Sequence, residues 1–189
     1  MKTYQTFVQN EILSDYLPED CIKLLIDGII IFNKACISEE ISFVLKYAKK
    51  KGIKITAINV KNNFPLLLHD TKATDSDAKI VIDTVSIINQ IYPQIMDNRK
   101  VIVGDKGYII NETIKEQIKE ETNIEIVAAR KNMSKQNDVR EKIILEKRYK
   151  IENFFANFKR DVEICFIQCR TRQTFVSFAY LKCRLLLKL

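Results

Sequence analysis

The chain has 189 residues, 47% of them hydrophobic, and only four Gly and three Pro. That suits one well-packed domain and excludes a globally disordered or linker-rich chain. One histidine, His69, and five cysteines with no CxxC pair argue against a Cys/His zinc site, while the net charge of +7 raises the question of an anionic partner.

The N-terminus, MKTYQTFVQNEILSDY, lacks the apolar core of a signal peptide, and no apolar stretch approaches membrane-spanning length. The expectation is a soluble, intracellular protein with no membrane partner. Free thiols in a reducing compartment fit the odd cysteine count. Residues 1–23 read as an N-terminal extension and 24–189 as the domain.

The first predicted strand is LLIDGIIIF, Leu24 to Phe32, with Asp27 inside it. Ser38 to Gly52 has mixed spacing and fits either a short helix or a long hairpin loop. IKITAINV (Ile53–Val60) and FPLLLHDT (Phe64–Thr71) read as strands joined by a KNN turn, hence antiparallel. SDAKIVIDTVSIINQIY (76–92) has helical spacing, with Asp75 or Ser76 as N-cap.

KVIVGD is the fourth strand. A helix capped by Asn111 and a fifth strand over Ile124–Arg130 follow. A long helix is predicted from about Arg140 into the 160s. TFVSFAYLKCRLLLKL gives a last one, whose Phe175, Phe178, Leu181 and Leu185 recur at core-facing spacing. Three antiparallel strands followed by alternating helices and strands predict a mixed five-stranded α/β sheet with helices on its faces. That is the order of the ribonuclease H-like fold. The fold alone does not give a function.

Chemistry enters through carboxylates in unexpected places. Asp27 interrupts an Ile-rich strand, where a lone buried carboxylate is costly unless a partner or cation compensates it. An Asp-Gly turn splitting the strand, or an ion pair with a lysine, would also explain it. Asp105 follows Val101–Val103 and opens the turn Lys106-Gly107-Tyr108. The first and fourth strands are neighbours in this topology, so the two acids face each other and a divalent cation would resolve their repulsion.

A third acid lies in KRYKIENFFANFKRD. Arg148, Glu152 and Lys159 are spaced by four and seven residues, which at roughly 100° per residue puts them on one helical line. That line runs beside an apolar stripe of Ile151, Phe154, Phe155, Phe158 and Val162. An amphipathic helix with an ordinary charged flank would look the same. Residues 140–189 hold 12 Lys/Arg against five Asp/Glu, so the whole positive excess lies in the last quarter. Such a segment is either a solvated helix face or a footprint for nucleic acid.

DG at 27–28, GDKGY at 104–108 and the Arg148, Glu152, Lys159 set resemble the DDE motifs of insertion-sequence transposases. The stretch from Tyr47 to Ile80 also resembles that family. The resemblance runs from about residue 24 to the C-terminus. It implies a ribonuclease H-like catalytic domain that cleaves and joins DNA strands. Asp27, Asp105 and Glu152 would be the catalytic residues and the ligands of two Mg²⁺ or Mn²⁺ ions. Arg148, Lys159 and Lys106 would contact DNA, with Gly107 and Tyr108 in support. The partners implied are transposon ends and target DNA, with room for a homodimer.

The sequence departs from the family pattern in four respects. Only 26 residues precede Asp27, Leu145 stands where a Tyr is frequent, Thr74-Asp75 replaces His-Asp, and no strand insertion precedes the Glu152 helix. These differences suggest a compact or N-terminally truncated member. A structure-specific nuclease of the same fold, or an inactive, domesticated DNA-binding remnant, is the alternative.

Overall fold

The computed structural model describes residues 21–33, 52–60, 65–92 and 99–129, with isolated positions and short runs between 145 and 181. Three strands come first: β1 (Cys21–Asn33), β2 (Gly52–Asn59) and β3 (Pro65–Lys72). They are followed by helix α1 (Asp77–Ile91), strand β4 (Arg99–Gly104), helix α2 (Glu112–Thr122) and strand β5 (Ile124–Ala128). A two-residue strand, β6 (Phe166–Ile167), joins last.

The sheet runs β3-β2-β1-β4-β5, with β6 also pairing β1. The first three strands are antiparallel and β4 and β5 are parallel to β1 and to one another, as the ribonuclease H-like order requires. β1 is central because its sequence can be buried on both sides. Leu24, Leu25, Ile26, Ile29 and Ile31 are all in the core. β1 runs unbroken through Asp27 and Gly28, so no turn splits it there.

α1 and α2 pack on one face. Val81, Val85 and Ile88 of α1 and Ile118 of α2 share a core cluster with Leu24, Ile26, Ile58, Ile102 and Ile126 from the strands. Ser76 caps α1, its side chain accepting from the Lys79 N–H, and Asn111 caps α2 through the Thr113 N–H. α2 ends at Asn123 in the left-handed conformation, which Asn tolerates better than most residues.

Two expectations for the C-terminal quarter need revision. β6 was not foreseen, since two residues carry no readable period. The last helix was assigned to the core, yet Phe178 is 41% exposed and Leu181 53% exposed. Helical spacing marks an apolar face but does not supply the surface that covers it. Residues 38–51, the KNN turn, and Phe175, Leu185, Arg148 and Lys159 lie outside the described residues.

Candidate active site

Asp27 sits inside β1 and is half-buried rather than enclosed. β1 and β4 pair in parallel, with Leu24 opposite Ile102 and Leu25 opposite Val103. Continuing that register by two residues sets Asp27 beside Asp105, just beyond the end of β4. Facing positions on adjacent strands lie on the same side of a sheet. The register thus puts both acids at the same end of neighbouring parallel strands.

Each carboxylate is oriented by a nearby backbone amide. Asp27 Oδ1 accepts from the Gly28 N–H at 2.8 Å, and Asp105 Oδ1 from the Gly107 N–H at 2.7 Å. The second bond makes Asp105 the cap of a single 3₁₀ turn over Lys106–Tyr108. A turn at the end of a strand thus holds a carboxylate in a fixed pose and leaves its other oxygen for a further partner.

Gly107 stands in the turn beside Asp105. Its backbone is not left-handed, and its lack of a side chain is what matters. A Cβ there would run into the Asp77 carboxylate and lie 3.0 Å from Asp105 Oδ1. Gly104 has a similar reason: a Cβ would sit 2.8 Å from Tyr108 Cδ2 and 3.0 Å from Ile26 Cγ2. Tyr108 therefore packs tightly under the strand end, only 1% exposed.

The hydroxyl of Tyr108 reaches the space above Gly28, where the Thr56 hydroxyl also arrives from the opposing β2 position. Neither hydroxyl makes a hydrogen bond of good geometry. Burial, and then the charges of Asp77, Asp27 and Asp105, drive the phenol far above its ordinary range, with the Thr56 hydroxyl pulling weakly the other way. Three carboxylates thus act on one buried phenol.

Two of the residues at this centre escaped the sequence reading. Lys54 on β2 donates to Asp77 Oδ1 at 2.9 Å and to the Asp75 carbonyl at 3.0 Å. Asp77 looked like an ordinary first-turn acid of α1, favoured there by the helix dipole. Lys54 looked like the polar member of an alternating strand. The one charge in the run IKITAIN was the available signal.

The remaining expected residues are placed less fully. Lys106 is exposed on the 3₁₀ turn. Glu152 lies in a helical stretch and is exposed, while nearby Leu145 and Phe155 are buried. Among the described residues, no group of three His, Cys, Asp or Glu side chains is close enough to hold a metal ion.

Residues 44–187, well over half of the chain, match the family described as the transposase DDE domain. The chain belongs to that family. Asp77, Asp105 and Glu152 fall within the matched stretch of the transposase DDE domain, and Asp27 precedes it. No curated protein matches the sequence.

Among solved structures the chain is similar to the piggyBac transposase in a synaptic complex with hairpin DNA. Identity is 13% and the TM-score 0.41, over 61% of this chain and 24% of that one. It is also similar to the Mos1 strand transfer complex, at 12% identity and a TM-score of 0.42, over 92% of this chain and 51% of that one. A ribonuclease H1 isolated from compost, LC11-RNase H1, shares 13% identity at a TM-score of 0.26, over 84% of this chain and 90% of that one. The chain thus spans about a quarter of the piggyBac chain and half of the Mos1 chain.

Proposed function

We propose that this transposase DDE domain is a polynucleotidyl transferase and endonuclease that cuts and joins DNA strands, with Asp27, Asp105 and Glu152 as its catalytic acids. The reading is supported by the β1–β4 register, which runs parallel as far as Leu25 opposite Val103 and so carries Asp27 toward Asp105 just past β4, in a chain of this family. Carboxylate oxygens are hard donors suited to Mg²⁺ or Mn²⁺. Asp105 fits such an ion well, because one oxygen is fixed by Gly107 and the other is left for a ligand.

In this reading Asp27 would serve both ions, with Asp105 completing one site and Glu152 the other. Two bound ions supply activation of a water or 3′-hydroxyl and stabilisation of the leaving oxygen at a scissile phosphate. The protein's own part is to fix the acids before DNA arrives. Gly28 and Gly107 N–H groups orient them, and the β1–β4 ladder sets their spacing. Arg148, Lys159 and Lys106 hold phosphates beside the cut, Arg by its planar fork and the lysines as point charges. Transposon ends and target DNA are the substrates, and a homodimer would present two such sites.

The test is cleavage and strand joining on a linear duplex in Mg²⁺ or Mn²⁺. Asp105→Asn keeps the shape and removes the charge. It is expected to abolish cleavage while leaving DNA affinity equal or tighter, because repulsion from phosphate falls. An Asn variant that cuts at the wild-type rate removes Asp105 from the site. Joined products identify a transferase, whereas cut products without joining identify a nuclease of the same fold.

A further inference from the structure

Behind the two acids lies a second layer of charge. By their pairing and packing, Lys54, Thr56, Gly28 and Tyr108 line the α1 side of the sheet. The Lys54 ammonium ties β2 to the start of α1 through Asp77 and the Asp75 carbonyl. The pair is well sheltered, with side-chain exposures of 12% for Lys54 and 31% for Asp77.

This pair touches the neighbour of each candidate ligand. The Lys54 stem lies 3.5 Å from where a Cβ of Gly28 would be, next to Asp27. The second oxygen of Asp77 presses on Gly107, whose N–H holds Asp105. Gly107 is therefore clamped between two carboxylates, one tied to lysine and the other turned toward the sheet end. The buried hydroxyls of Tyr108 and Thr56 converge on the same spot, beside Gly28 and the Lys54 stem.

We propose that the Lys54–Asp77 pair is a positioning device for the acidic site, Asp77 fixing the Asp105 carboxylate through Gly107 and Lys54 holding Asp77 in place behind it. This rests on the reading of Asp27 and Asp105 as metal ligands. Asp77 is a positioning residue rather than a ligand in this proposal, one oxygen held by the Lys54 ammonium and the other packed against Gly107.

Mn²⁺ affinity of the full chain, read from the electron paramagnetic resonance of free Mn²⁺ without DNA, tests the proposal, with circular dichroism confirming the fold of each variant. Asp77→Asn is expected to weaken binding by about tenfold or more, the usual effect of losing a group that orients a metal ligand. The double variant Asp77→Asn with Lys54→Met keeps the net charge and is expected to stay about as weak, whereas Lys54→Arg stays close to wild type.

Gly107→Ala drives a Cβ between the two carboxylates and is expected to weaken binding similarly, which keeps the test open should Asp77→Asn fail to fold. Wild-type affinity in folded Asp77→Asn or in Gly107→Ala, with Asp105→Asn weakened, overturns the positioning role alone. Full recovery in the double variant also overturns it, since charge balance would then be the whole effect. If Asp105→Asn binds Mn²⁺ as tightly as wild type, the metal site itself falls and the positioning role falls with it.

Discussion

His69 is the chain's single histidine, and its environment fixes its protonation. Its Nδ1 lies 3.2 Å from Thr84 Oγ1, whose hydroxyl donates to the Ile80 carbonyl at 2.6 Å. The hydroxyl proton is thus spent, so Nδ1 carries the hydrogen and donates. Burial pushes the imidazole below its ordinary 6.5, against the opposing charges of Asp70, Asp83 and Asp75. A depressed histidine binds its proton more readily in the unfolded chain. Its contribution to stability is therefore complete above pH 6.5, falls as the pH drops below that value, and levels off beneath the folded pKa. The lone imidazole NMR signal is expected to titrate with a midpoint below 6.5, and His69→Gln to flatten the unfolding free energy across that window. A midpoint at or above 6.5 would contradict the burial argument.

At the scale of elements, the strands were legible because Ile and Val runs are broken by Gly, Pro and Asn, and both helices because their caps precede a clear period. Asp27 and Asp105 stood out for the opposite reason, each being a charge at the centre or end of an apolar run. Lys54 and Asp77 did not stand out, since an alternating strand and a first helical turn both accept such residues. Their meaning depends on the fold bringing residues 54 and 77 together. The C-terminal stripe misled because periodicity reports a face and not its cover. The caps themselves are testable. Ser76→Ala removes the side-chain acceptor of the Lys79 N–H at the start of α1 and leaves it only the Ser76 carbonyl, and about 1 kcal/mol of unfolding free energy is expected to be lost in denaturant titration. An unchanged midpoint would mean that water replaces the cap without cost.

Taken whole, the molecule separates charge from architecture. Residues 1–139 balance acid and base, and the excess of +7 lies beyond them. Binding to DNA is expected to be largely independent of sequence and to weaken steeply with salt as counterions are released. Replacing Arg148 and Lys159 with Ala is expected to weaken affinity and to reduce the slope of log K against log salt by about two. Parallel lines of equal height would assign both residues to a solvated flank. The central position of β1 has a further consequence, this one for where the chain can be cut. The family match begins at residue 44, so a fragment drawn to that boundary lacks the strand that β2 and β4 both pair with. Such a fragment keeps most of the recognisable family sequence but opens two bare sheet edges, each a template for another copy. The matched stretch is thus smaller than the unit of folding, and a fragment that keeps the sheet intact must begin no later than Cys21.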